Sequence, residues 1–284
     1  MNLRDLLGIQ HPIIQAPMAG AQNHQLAAAV CQAGGLGSVP AGMLDPAGLE
    51  TELSALEALT DRPYNVNFFC HQTPPHDPAR IETWHRLLAP YFAEFGVDPA
   101  QIPGEATRQP FDATMAEVLE RHRPALISFH FGLPTPDLLQ RARATGARIA
   151  SSATTLEEGL WLQEHGVDLV IAQGLEAGGH RGIFLSEDLT TQLGTFALLP
   201  QLVAALDVPV VAAGGKDRRG TGTPNRWCEG LTPRGGATGE DPLSVAVLVE
   251  LGKFRFFDPG DLPYDRLLDV LCPANQIGKV DVYL

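Results

Sequence analysis

Short apolar runs of about four to six residues alternate along this chain with longer stretches whose apolar positions recur every three or four residues. The first pattern belongs to strands buried on both faces, the second to helices laid against a sheet. Pro12-Ile-Ile-Gln-Ala-Pro17, Leu36-Gly-Ser-Val-Pro40 and Asn65-Val-Asn-Phe-Phe69 read as the first three strands. Ala125-Leu-Ile-Ser-Phe129, Arg148-Ile-Ala-Ser151, Leu169-Val-Ile-Ala-Gln173 and Val208-Pro-Val-Val-Ala-Ala213 bring the total to seven. Helices are expected between them over 22–33, 46–59, 113–122, 136–145, 155–165 and 194–206, the first stopped by Gly34-Gly35. A proline-rich insertion, Thr73 to Pro110, carries a helix near 79–95 and is expected to cap one end of the fold.

Strand and helix in strict alternation imply a parallel sheet, and the absence of a chain reversal favours a barrel over a doubly wound sheet. The expected fold is therefore α/β, a TIM-type (β/α)8 barrel that is incomplete, its eighth strand lost or aberrant. Functional groups of such barrels gather on the loops after the strands. Here those positions carry Met18, Asn67, His130, Gln173, His180 and the pair Gly214-Gly215.

Composition narrows the function classes. Apolar residues make up 44%, enough for a continuous core, and the 29 glycines and 23 prolines follow no repeat. A net charge of −13 disfavours binding to nucleic acid or an anionic membrane, both of which need a basic face. No apolar run has the length of a membrane span, and Met1 to His11 lacks the apolar core of a signal peptide. Cys31, Cys70, Cys228 and Cys272 are widely spaced and read as free thiols of a reducing compartment. A cytoplasmic protein acting on a small molecule is the expectation.

The most informative segment is Ala172-Gln-Gly-Leu-Glu-Ala-Gly-Gly-His-Arg-Gly182. A strand ends at Gln173, and a glycine-rich loop then presents His180 and Arg181. Gly178 and Gly179 let a ligand approach backbone N–H groups, which can hold an anion. Gly214-Gly215 directly follows the last strand, where barrels often bind a phosphate. Two such exits suggest a phosphate-bearing cofactor. His130 ends a further strand, and two histidines at one barrel end can move a proton or bind an anion near neutral pH. No Gly-x-Ser-x-Gly nucleophile motif occurs. His71, His76, His85, His122 and His165 lack carboxylates at ligand spacing and read as surface histidines rather than metal ligands.

In order along the chain, Gln15-Ala-Pro-Met-Ala-Gly20, Gly34-Gly-Leu-Gly-Ser38, Val66-Asn-Phe-Phe69, Ser128-Phe-His-Phe-Gly132, Ala150-Ser-Ser-Ala-Thr-Thr155, the 172–182 segment and Val210-Val-Ala-Ala-Gly-Gly215 resemble the motifs of the nitronate monooxygenase family, once called 2-nitropropane dioxygenases. The resemblance covers residues 1–215, about three quarters of the chain. It implies an FMN-dependent barrel that oxidises alkyl nitronates, typically propionate 3-nitronate, with O2. Met18, Asn67, Gln173, Gly178 and Gly215 match its FMN-contacting positions, with Gly179 and Gly214 beside them. His180 matches the catalytic histidine and His130 a second active-site histidine. Related FMN barrels, the NADH:quinone and enoyl-acyl-carrier reductases, share the Glu176-Ala-Gly-Gly-His180 segment, so these activities stay open.

After Gly215 the resemblance stops. The family continues into a helix and an eighth strand ending in Gly-Thr, whereas residues 216–239 here have no apolar period and read as loop. Residues 216–284 are expected to form a divergent, partly disordered segment, with 243–251 a helix or strand. Two readings of the break stand: a genuinely divergent C-terminus, or a change of reading frame at Lys216, since Lys-Asp-Arg-Arg read one base later can encode Arg-Ile-Ala-Asp, close to the family's sequence there. An unclosed barrel has open strand edges and half a phosphate cradle, so a non-catalytic remnant stands as the alternative to an active enzyme.

Overall fold

The computed structural model describes residues 3–213 except 74, 76 and 103–108, together with the backbone of five short strands further along. Six parallel strands form the central sheet: β1 (Gly37–Pro40), β2 (Tyr64–Phe69), β3 (Leu126–His130), β4 (Arg148–Ala153), β5 (Leu169–Gln173) and β6 (Val210–Ala213). Their order in space is their order in sequence. A doubly wound sheet would reverse that order part-way; this one curls in a single direction as an incomplete TIM-type barrel.

The helices are α1 (Leu3–Leu7), α2 (His24–Gln32), α3 (Pro46–Glu57), α4 (Pro78–Phe95), α5 (Ala113–His122), α6 (Pro136–Ala144), α7 (Leu156–Glu164) and α8 (Thr195–Ala205). Their starts are chemically specified. Asn23, Asp45, Asp77, Asp112 and Thr155 each accept a first-turn N–H, and proline opens α3, α4 and α6. Each such cap is worth about 1 kcal/mol.

The first of the seven expected strands is reduced to one bridge between Ile14 and Leu36. Leu36 N–H donates to Ile13 O and Gln15 N–H to Leu36 O, both at 2.9 Å. Pro12 and Pro17 have no N–H, so the ladder cannot lengthen. Side chains continue it instead: Ser38 N–H donates to Gln15 Oε1 at 3.1 Å and Ser38 Oγ to Gln15 O at 2.6 Å. β6 likewise starts at Val210 rather than Val208, after Pro209.

Two separate cores hold the curl. Val39, Val66, Phe68, Ile127, Phe129, Ile149, Val170 and Ala172 face outward and bury against helix residues such as Leu49, Leu53, Leu119, Leu162 and Leu202. Leu36, Leu126, Ala150 and Leu169 face inward and meet Leu7 and Ile9, so α1 and the residues after it plug the end where the strands begin. Each buried side chain of this size contributes about 1.5–3 kcal/mol.

Beyond residue 213, β7 (Thr223–Pro224) pairs antiparallel with β10 (Ala274–Asn275). A three-stranded sheet orders β11 (Val282–Tyr283), β9 (Phe254–Asp258) and β8 (Val247–Leu251). The strand option for 243–251 is thus realised as β8. Among the described residues no strand continues the main sheet past β6. Gly214, Gly215 and the break at Lys216 lie outside the described residues.

Candidate active site

Side chains alternate along a strand, so every second residue enters the barrel. Towards the strand ends these inward positions turn polar: Asn67 on β2, Ser128 and His130 on β3, Ser152 on β4 and Gln173 on β5. Asn67 Nδ2 donates to Ser128 O at 3.2 Å and Ser128 Oγ at 3.0 Å. Asn67 Oδ1 accepts no hydrogen bond from the described residues.

His130 is committed at both ring nitrogens. Nε2 lies 2.9 Å from His180 O and Nδ1 lies 3.0 Å from Ser152 Oγ. A carbonyl only accepts, so Nε2 carries the proton and Nδ1 receives the serine hydroxyl. Burial pushes the His130 pKa below its ordinary 6.5, ahead of a smaller opposing effect from that carbonyl. The ring is therefore neutral near pH 7.

Gln173 supports the same loop. Its Nε2 donates to His180 O at 2.9 Å, and its Oε1 accepts Gly182 N–H at 2.6 Å. The packing requires glycine at 182: a Cβ there would stand 2.8 Å from the His130 ring and 3.1 Å from Gln173 Oε1. Arg181 turns back onto its own loop and donates to Ala177 O at 2.9 Å, so it braces the 174–177 turn.

The His180 side chain is thereby presented at the mouth, exposed, with its ring centroid 5.3 Å from Phe69 and 6.1 Å from Phe131. Phe131 has φ +68 and Gly132 φ +86, a left-handed pair that turns the chain sharply after β3. Ser151 Oγ donates to Gly132 O at 2.7 Å and fixes the turn.

The structure thus gathers Asn67, His130, Gln173 and His180, with Gly178 and Gly179 on the same loop. Both glycines are exposed, Gly179 at φ +75, and their N–H groups have no partner among the described residues. Met18 lies on an exposed turn, its carbonyl accepting Ala21 N–H at 3.1 Å.

Two of the histidines read as surface residues are placed otherwise. His71 stands 6.2 Å from both Phe69 and Phe131, at the mouth. It shares the inward parity of Asn67 and Phe69, a signal present in the sequence. The His122 side chain is only 7% exposed, 3.0 Å from both Glu50 and Glu57. Those partners lie 65 and 72 residues away, beyond any local pattern. His165 stacks on Trp161 and His85 meets Phe92, as expected of outer helix faces, while His76 is outside the described residues.

An unreversed parallel strand order, polar strand ends and a histidine-bearing glycine loop over the mouth define an incomplete TIM-type barrel with a candidate site at its mouth. The family model described as nitronate monooxygenase matches residues 1–223, and the chain belongs to that family. The nitronate monooxygenase of Paraburkholderia phytofirmans is 45% identical over 214 residues, 75% of this chain and 58% of that protein. Among solved structures, nitroalkane oxidase from Streptomyces ansochromogenes superposes with a TM-score of 0.67 at 40% identity, covering 77% of this chain and 62% of that one. FabK from Thermotoga maritima gives a TM-score of 0.52 at 26% identity over 74% of this chain and 52% of its own. The chain spans about 60% of the length of the relatives it matches. No helix among the described residues is long and apolar enough to cross a membrane.

Proposed function

We propose that this chain binds FMN at the ends of its strands and oxidises alkyl nitronates, of the propionate 3-nitronate type, with O2. The observation that carries the reading is the convergence on one barrel mouth of His180, the Gly178 and Gly179 N–H groups and Asn67 Oδ1, the last three without hydrogen-bond partners among the described residues. These groups fit a flavin mononucleotide. Successive glycine N–H groups suit its phosphate, and the Asn67 carbonyl suits a ring N–H. Met18, Gln173 and Gly215 complete the proposed contacts by their match to family positions, with Gly214 beside them.

The bound flavin supplies the redox chemistry with O2. The protein's own part is to bind, orient and move a proton. Phe69 and Phe131 flank His180 and offer an apolar wall to an alkyl chain. A ring nitrogen of His180 takes the Cα proton of a nitroalkane; a nitronate arrives already deprotonated and needs only to be held. His130 is assigned to support, because its single unprotonated nitrogen already receives Ser152.

Two assays on the purified protein test this. FMN titration should show stoichiometric binding, weakened by Asn67→Ala. Nitrite release from propionate 3-nitronate should exceed NADH consumption; NADH consumption alone would move the chain to the reductase-type FMN barrels, and absence of both would leave a non-catalytic remnant.

A further inference from the structure

Glu158 is the third residue of α7 and is 1% exposed. Its Oε2 accepts Thr154 N–H at 2.7 Å and the Thr154 hydroxyl at 2.8 Å. Its Oε1 accepts Phe184 N–H at 2.7 Å and Leu185 N–H at 3.3 Å. A third-position glutamate commonly reaches back to the start of its own helix, which Oε2 does here. The other oxygen crosses to a segment 26 residues away in sequence. Burying a carboxylate is costly unless donors surround it, and four donors do.

The segment it grips continues the His180 loop. The loop is held at His180 O by His130 and Gln173, at Gly182 N–H by Gln173, and at Phe184 and Leu185 by Glu158. Phe184 also packs on Trp161, 5.2 Å between centroids, and closes on Gly132 beside the β3 turn. The first two anchors lie on strand ends. Glu158 alone among these side chains reaches the loop from a helix of the outer layer.

We infer that Glu158 is the positioning residue of His180: a buried carboxylate that locks the strand exit of β4 to residues 184–185 and thereby fixes where the His180 ring meets its substrate. The inference rests on the proposed role of His180. Both carboxylate oxygens face N–H donors, so Glu158→Gln must set an amide NH2 against an N–H whichever way it turns. Glu158→Asp keeps the charge and cannot span both segments.

Hydrogen exchange is read first, since it needs neither flavin nor turnover. Exchange at Phe184 and Leu185 should rise at least about tenfold in both variants, with β4 and β5 unchanged, because losing one anchor opens only the segment it held. Turnover of neutral nitroalkanes should then fall about 10–100-fold through kcat, with KM within about twofold and the loss on preformed nitronates much smaller, the split expected of a misplaced base. In a His180→Asn background Glu158→Gln should cost almost nothing more, since two residues acting through one group are not additive. Wild-type exchange at 184–185, or an undiminished loss in the His180→Asn background, overturns the inference. If Glu158→Gln does not fold, Glu158→Asp carries the same readouts. If exchange rises while His180→Asn itself leaves nitroalkane turnover intact, the positional coupling stands and the assignment of His180 fails.

Discussion

The two halves of the barrel interior are built from the same strands and differ in chemistry. Where β3, β4 and β5 begin, the inward residues are Leu126, Ala150 and Leu169, sealed by Leu7 and Ile9. Two to four residues on, the same faces carry Ser128, His130, Ser152 and Gln173. The lower half contributes by excluding water and has no directional requirement. The upper half contributes little net stability, since each hydrogen bond replaces one to water, but every partner is specified. Folding and function are therefore separable along one strand, and substitutions should separate them.

The largest effect is expected at the mouth. His180→Asn should lower nitroalkane turnover about 10²–10⁴-fold, the usual contribution of a positioned base, with a far smaller loss on nitronates and an unchanged thermal midpoint. Steady-state kinetics on both substrates checks it; equal losses would assign His180 to anion binding. In the lower half, Leu126→Ala or Leu169→Ala should cost about 2–5 kcal/mol in urea unfolding while leaving the nitroalkane-to-nitronate ratio intact. A changed ratio would erase the separation between the halves.

A pH effect of intermediate size belongs to His130. Its pKa in the fold is lowered by burial from an ordinary 6.5, so between those two values the unfolded chain binds more protons than the folded one. Stability then rises with pH across that window and is lost as pH falls below 6.5. Unfolding free energies measured from pH 7.5 to 5 should show this slope, and His130→Gln should flatten it.

The smallest effect is expected on α4. α5 buries Met115, Ala116, Val118 and Leu119. α4 is nearly twice as long and also two-faced, yet it fully buries no residue and leaves Trp84, Leu87, Tyr91 and Phe95 53–72% exposed. Trp84→Ala should therefore change unfolding free energy by less than about 0.5 kcal/mol, whereas Leu119→Ala should cost several. A large loss at Trp84 would mean that this face is covered in solution.

α4 also marks how far a sequence pattern reaches. Its periodicity specifies a helix and an apolar face, because both depend on residues three and four apart. Which surface receives that face depends on chain elsewhere. The strands were legible for the same local reason, except at 12–17, where the apolar run suggested a ladder that Pro12 and Pro17 hold to one bridge.

The sequence by itself determined the alternation of strand and helix, the inward parity of Asn67, His130 and Gln173, and the glycine loop bearing His180. Tertiary structure alone decided what each histidine touches. His130 meets the His180 carbonyl 50 residues away and the Ser152 hydroxyl. His122 is enclosed by two glutamates, and Glu158, an ordinary helix-start residue in the sequence, becomes a junction between two loops. Periodicity encodes which face a residue takes, because that follows from backbone geometry. Hydrogen-bond partners across the barrel are fixed only when the sheet curls and brings distant strand ends together.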